Sequence, residues 1–421
     1  MRPLEKVIGY NSIKKEFYKI IDVLNNPEKY EKLGVHIPNG VMLEGEPGIG
    51  KSLMAKCFIE ECKRKSYIIR KDKPNGNFVD YIRETFEDAE KKAPTIILLD
   101  DMDKYANEDY SHRDAEEYVT IQACIDNVKD KNVFVIATVN DIESLPGSLV
   151  RSGRFDNVFH MDFPRGEDAK KIIEYYLKDK KCDSTIDTEE ISRYMRGYSC
   201  ASLETFVNKA GMRAAYENRS VISHEDLKNT CLQEIYRFSD DAEVPEDVVR
   251  MRVVHEAGHT VISEIRNPGM ITFVSASTKR IGRIGGLVSR DREIGYRSTI
   301  KDEETEILIG LAGKAAVEVV LGEIDMGVSS DMHKVFDGVR DLLDAKVSYD
   351  FNSWCHGEET SEKIYDHLDI TTGVEVSRYY MMAKQMLIQN RAFLDAIIKE
   401  LMDKKFLSYK DIAKIRKEGG F

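Results

Sequence analysis

Through the first 165 residues of the chain, short apolar runs alternate with longer segments of helical periodicity. Five runs read as strands: GVMLEG (40–45), SYIIR (66–70), TIILLD (95–100), NVFVIATV (132–139) and NVFHMDF (157–163). The segments KSLMAKCFIEEC, FVDYIRETFEDAEKK and AEEYVTIQACIDNV carry apolar residues three and four apart, the spacing that gathers one face of a helix. Strand–helix alternation of this kind predicts an α/β module, a parallel sheet with helices on both faces. From about 167 to 237 the strands stop and four helical segments follow, among them EDAKKIIEYYLK and SHEDLKNTCLQEI. The acidic, proline-bearing stretch SDDAEVPED (239–247) predicts a boundary. After it come a helix through VVHEAGHTVI (253–262), two strand-like segments, MITFVSAS and IGGLVS, and a mostly helical remainder. The expected division is 1–165 for the α/β part, 166–239 for a helical lid and 240–421 for a mostly α-helical second domain.

Composition narrows the possibilities. With 421 residues, 42% of them hydrophobic, the chain can build more than one core. A formal net charge of −12 argues against a nucleic-acid partner held by phosphate neutralisation. The one basic run, KRKSYIIRKDK (63–73), reads as a solvated edge. Seven cysteines with no CxxC pair suit a reducing compartment better than a disulfide framework. The apolar runs fall far short of the roughly 18 residues that a membrane span needs. No signal-like segment opens the sequence either, so the expectation is a cytoplasmic protein with no membrane segment.

GEPGIGKS (45–52) is a complete G-x-x-x-x-G-K-[ST] pattern, placed directly after a predicted strand and opening a predicted helix. Glycines there let backbone N–H groups turn inward around phosphate, and the helix N-terminus adds partial positive charge. Pro47, Gly48, Ile49, Gly50, Lys51, Ser52 and Leu53 are therefore the nucleotide-binding candidates. Lys51 is expected to reach the terminal phosphates of ATP and Ser52 to hold Mg²⁺. Asp100 ends the apolar run TIILLD, where it can hold the Mg²⁺ shell through water. Asp101 either orients the attacking water or merely caps the next segment. Asn140 ends the following strand, within reach of the same water. Arg151 and Arg154, in SLVRSGRFD, are ordinary surface cations or arginine fingers acting on a neighbouring molecule.

HEAGH, residues 255–259, fits H-E-x-x-H on a predicted helix. Histidines four apart lie one above the other on a helix face, so His255 and His259 can bind one Zn²⁺. Glu256 can accept a proton from the attacking water and return it to the leaving amine. A catalytic zinc needs a third protein ligand. The extended metzincin pattern would place Gly at 262, where Ile262 stands, and STKRIGRIGG downstream contains no acid. Within DMGVSSDMHKVFDGV (325–339), Asp331 is a candidate ligand or a helix cap, a task Ser329 or Ser330 can also take, and His333 competes with it.

GVMLEGEPGIGKSLMAK, ILLDDMDK, ATVND and LVRSGRFD occur in the order of an AAA+ ATPase, and the chain resembles that family. The resemblance implies that Ile8 and Gly9 lie against the adenine and that Ala201 sits near the nucleotide. It also implies that the two arginines act on ATP held by the next subunit of a homo-oligomer, usually a hexameric ring. HEAGH, then LIGLAGKAAVEVVLGE, then GVSSDM extend the resemblance to the FtsH-type ATP-dependent zinc metalloproteases, from about residue 4 to about 345. That family implies unfolding and degradation of proteins, Asp331 as third zinc ligand, and a strand beside the zinc that pairs with substrate peptide. The chain departs from the family's pattern in three respects. It has no membrane-spanning segment ahead of the ATPase, and KDKPNGNFVD (71–80) lacks the pore-loop aromatic at the matching place, Phe78 being expected to open the core of the next helix. Asp101 also replaces the family's glutamate. One methylene less withdraws the carboxylate by about 1.5 Å, and a 1 Å misplacement can cost on the order of a hundredfold. The alternative expectation is a ring with a weak ATPase that acts on unfolded substrates or as a regulatory scaffold.

Overall fold

The five apolar runs form five strands in the computed structural model: β1 (Gly40–Glu44), β2 (Lys65–Ile69), β3 (Thr95–Leu99), β4 (Val133–Val139) and β5 (Asn157–His160). The structure describes residues 2–34, 38–71, 77–107, 115–151, 153–235, 245–280, 283–290, 299–324, 329–345 and 362–421. All five strands are parallel, in the order β2-β3-β4-β1-β5. Successive strand residues feed opposite faces. Met42, Ile97 and Val135 enter one core with helices α4 (Phe78–Lys91) and α5 (Ala115–Asn127). Val41, Leu43, Leu98 and Phe134 enter another with α1 (Asn11–Asn25) and α3 (Lys51–Cys62), while the short α2 (Pro27–Glu31) adds no buried residue. Continuous apolar runs are what two buried faces require, and each such side chain stabilises by about 1.5–3 kcal/mol. The α/β expectation is borne out.

Four helices follow the sheet: α6 (Gly166–Leu177), α7 (Thr188–Tyr194), α8 (Cys200–Tyr216) and α9 (His224–Thr230). Asp226 is 3% exposed and receives Arg219 through both guanidinium nitrogens. It also accepts from the Ser223 N–H at 2.8 Å and hydroxyl at 2.7 Å. Burial alone would raise its pKa, but these donors win and hold the carboxyl at about 2. A depressed folded pKa gives stability that is present above the unfolded value near 4 and lost as pH falls through about 2. Asp226→Asn is therefore expected to destabilise the chain by about 2–3 kcal/mol at pH 7, discounted for the part-exposed arginine. The gap from wild type should close toward pH 2, as read by denaturant unfolding.

The chain divides into two compact units, Met1–Leu227 and Lys228–Phe421. In the second, α10 (Glu246–Arg266) packs on α11 (Ile300–Leu321). A Cβ on Gly258 would lie 2.4 Å from the Ala312 carbonyl oxygen and 2.6 Å from the Ala316 Cβ. Only glycine permits so close an approach of the two backbones. Around this pair stand α12 (Ser329–Ala345), α13 (Glu362–Gln389), α14 (Arg391–Lys404) and α15 (Tyr409–Gly419). The antiparallel sheet β7-β6-β8 completes the unit, with β6 (Ile271–Arg280), β7 (Arg283–Arg290) and β8 (Phe406–Ser408). β8 has three residues, too few to show a period, and the sequence did not announce it. No helix among the described residues is long and apolar enough to cross a membrane. The boundary stretch 239–247 and the segment 71–80 lie partly outside the described residues, at 239–244 and 72–76. Phe78 packs as expected, its ring 5.2 Å from that of the buried Tyr105.

Candidate functional sites

The strand order builds the first site. β1 and β3 flank β4, so the segments leaving their carboxyl ends converge at one edge of the sheet, where such folds bind ligands. The loop after β1 turns on Gly45, Gly48 and Gly50, with φ of 145°, 80° and 102°. Lys51 opens α3 and is buried, its ammonium donating to the carbonyls of Gly45 and Glu46 and to Asn140 Oδ1 at 3.0 Å. Burial pulls its pKa down, against the raising pull of Asp103, Asp101, Glu46 and Asp100. Ser52 Oγ donates to Asp100 Oδ1 at 2.7 Å, and the Thr138 hydroxyl donates to the same oxygen at 2.9 Å. The amide of Asn140 donates to Asp103 Oδ2 at 2.8 Å. Thr138 and Asp103 went unnoticed in the sequence because their part is to orient other polar groups.

The remaining candidates of this unit separate. Ile49 is a core residue, whereas Pro47, Gly48, Leu53 and Ala201 are exposed. Ala201 N–H donates to the Gly48 carbonyl at 3.0 Å, which brings the start of α8 against the loop. Ile8 is partly buried, and Gly9, with φ of 79°, packs so closely on Asp168 that a Cβ there would lie 2.7 Å from its carboxylate. Asp101 adopts φ of 53°, and its carboxylate pairs with Lys104 at 2.6 Å and Arg70 at 3.5 Å. Arg151 is exposed, whereas Arg154 makes a two-pronged contact with Asp126 at 2.6 and 3.1 Å.

The second site lies within the second unit. His255 and His259 are one turn apart on α10, their Nε2 atoms 3.0 Å from each other. Asp331 Oδ2, in the first turn of α12, lies 3.4 Å from His255 Nε2 and 3.7 Å from His259 Nε2. One ligand atom from each falls within 4.8 Å of the others. His333, the competing candidate, is exposed and stands outside this cluster, and 325–328 lie outside the described residues. His259 Nδ1 donates to the Ile309 carbonyl at 2.6 Å, which presents Nε2 as the ligand atom. Burial alone would raise the Asp331 pKa, but the two imidazoles outweigh it and hold the carboxyl well below its ordinary range.

These residues fit a metal. Two imidazoles and a carboxylate are a zinc donor set. Gly313 of α11 supplies a geometric test, since a Cβ there would lie 2.5 Å from His255 Nε2 and 2.6 Å from His259 Nε2. A glycine inside a helix costs about 1 kcal/mol relative to alanine, so its presence amid LAGKAA is the signal that the sequence offered and periodicity could not use. Gly313→Ala is expected to lower zinc affinity by about 10–100-fold without loss of helix. Metal titration alongside circular dichroism measures both.

Glu256 is 6% exposed, and burial raises its pKa against the lowering pull of the two imidazoles. A Cβ on Gly286 of β7 would lie 2.2 Å from the Glu256 Cγ, so the strand backbone runs directly beside the carboxylate. A pocket of about 960 Å³ joins His255, Glu256, His259 and Asp331 to the β7 residues Gly286–Val288. β7 is an edge strand, and its outer side can take another.

Comparison with known proteins finds relatives along nearly the whole chain. The model of the AAA family, ATPase family associated with various cellular activities, matches residues 41–163. ATP-dependent zinc metalloprotease FtsH 2 of Phytoplasma mali is 27% identical, over 98% of this chain and 62% of that protein. ATP-dependent zinc metalloprotease FtsH of Parabacteroides distasonis is also 27% identical, over 97% of this chain and 63% of its own length. The enzyme of that name from Helicobacter pylori is 28% identical, over 97% of this chain and 70% of its own length. The chain thus spans less than two thirds of the first two relatives. The chain is thus similar to the AAA family over residues 41–163 and, across nearly its whole length, to proteins named as FtsH ATP-dependent zinc metalloproteases.

Proposed function

We propose that this chain is an ATP-dependent zinc metalloendopeptidase that unfolds and degrades proteins as a homo-oligomeric, hexameric ring. The observation that carries it is the His255–His259–Asp331 cluster beside buried Glu256, on a chain that also holds a complete phosphate loop. In this reading 1–165 is the nucleotide-binding subdomain, 166–239 its lid and 240–421 the peptidase.

His255, His259 and Asp331 hold zinc, which when bound polarises water and the peptide carbonyl. Glu256, as carboxylate, takes a proton from the attacking water and delivers it to the departing amine nitrogen. The edge of β7 aligns an extended substrate by backbone pairing, and the Gly286 contact fixes the carboxylate relative to that edge. In the first unit, Lys51 binds the terminal phosphates of ATP, Ser52 and Asp100 hold Mg²⁺, and Asn140 faces the γ-phosphate. Ile8, Gly9 and Ala201 border the base. Arg151, being exposed, is the finger offered to a neighbouring subunit.

A second reading has a specific observation in its favour. Asp101 is the shorter acid and is held by Lys104 and Arg70. That combination favours a nucleotide-assembled peptidase with slow hydrolysis. Degradation of a tagged, stably folded protein separates the two readings. Wild type should degrade it with ATP and not with a non-hydrolysable analogue, and Asp101→Glu should be faster. If folded substrate survives in every case while unfolded casein is cut, the ring is a peptidase without a working unfoldase.

A further inference from the structure

Arg252 lies on α10, three residues before His255 and four before Glu256, and lines the same pocket. At 1.5 Å of rise per residue it stands about 5 Å along the helix from the catalytic turn. The other charged groups that line the pocket include Glu256, Glu303 and Lys334. Arg290 makes a two-pronged contact with Glu306 at 2.6 and 2.8 Å, and Asp331 faces the two imidazoles. Arg252 is partly buried, and among the described residues it has no carboxylate partner. Burial alone acts on its pKa, and downward. Lys334, one turn after Asp331 on α12, adds a second cation to the lining of the pocket.

A guanidinium stays charged at any working pH, and one held half out of water without a counter-ion strongly favours a carboxylate that completes it. Resting on the peptidase reading above, we propose that Arg252, supported by Lys334, is a specificity-determining residue that selects peptides with an aspartate or glutamate near the scissile bond. Extended substrate advances about 3.3 Å per residue, and Arg252 shares its pocket with His255, Glu256 and His259, which brings the acid close to the bond cut. Arg252 is not among the groups that shift Glu256.

The test uses the full chain and pairs of labelled peptides, amidated at the C-terminus, differing only by Glu against Gln at each of the two positions on either side of the cleaved bond. The zinc-loaded protein is expected to show a kcat/KM ratio of about tenfold or more for Glu over Gln at one position, carried by KM. The ratio should shrink with added salt, since part of the attraction is screened. Arg252→Gln should bring it to about one, Arg252→Lys should restore part of it, and Lys334→Gln should lower it less. A binding arm removes chemistry from the comparison. Glu256→Gln, measured by fluorescence anisotropy with zinc bound, should hold the acidic peptide more tightly than its Gln twin, and Arg252→Gln added to it should remove that difference. A preference that persists in the double variant would mean that the acid binds the metal, which overturns the proposal. So would a ratio near one in wild type, or an unaltered ratio in Arg252→Gln. Cleavage without acid preference sinks this inference alone, whereas neither cleavage nor binding of any peptide sinks the peptidase reading with it.

Discussion

Glu256→Gln is expected to abolish peptide cleavage, by roughly 10²–10⁴-fold, while zinc content and ATP turnover stay at wild-type levels. The magnitude is that of losing a positioned general base. The selectivity follows from the geometry. The His259 Nδ1–Ile309 bond and the Asp331 contacts set the metal ligands without using the Glu256 carboxylate. Glutamine fills the same space against Gly286, so the pocket keeps its shape and loses only the group that accepts a proton. Casein cleavage, metal analysis and phosphate release on one preparation check all three statements. Loss of zinc in the variant would contradict the assignment of Glu256 as a base outside the ligand set.

Lys51→Ala is the second large expectation. A buried ammonium facing the carbonyls of Gly45 and Glu46 and the amide of Asn140 is placed for a polyanion. Burial lowers its pKa, and the nearby carboxylates pull the other way. Removing a charge-assisted contact of this type costs about 1.5–3 kcal/mol in binding, some 10–100-fold in nucleotide affinity. Loss of a donor to the transferring phosphoryl group adds about another hundredfold in turnover. Fluorescent-nucleotide titration and phosphate release separate the two effects. Cleavage of short peptides should survive, because the zinc cluster lies in the other unit. ATP affinity equal to wild type would remove Lys51 from the site.

Local chemistry was legible in the sequence, and distant chemistry was not. GEPGIGKS and HEAGH carry their function in consecutive residues, so strand, loop and helix context sufficed to place them. The five apolar runs set the sheet because burial on both faces leaves no polar position to confuse the period. On the residues alone Asp331 kept His333 as a competitor, since a ligand contributed from a separate helix has no fixed spacing. Arg154 looked like a cation awaiting a partner, and Asp126, 28 residues away on the neighbouring helix, holds it. Gly313 is a costly residue inside a helix, but what it and Gly286 make room for emerges only with the rings and the carboxylate that occupy their missing side-chain space.

The three proposed zinc ligands are unequally anchored. His255 and His259 ride on a helix whose backbone is pressed against α11 at Gly258, while Asp331 belongs to a different helix about 70 residues further along the chain. A bound ion is therefore also a cross-link closing a long loop, and its thermodynamic reach extends to the whole segment between the ligands. Chelation should release α12 first, seen as faster amide exchange around residues 329–343, while the α10–α11 pair keeps its protection. In the peptidase reading, the ion that serves cleavage would then also be the tether that keeps one wall of its own pocket in place.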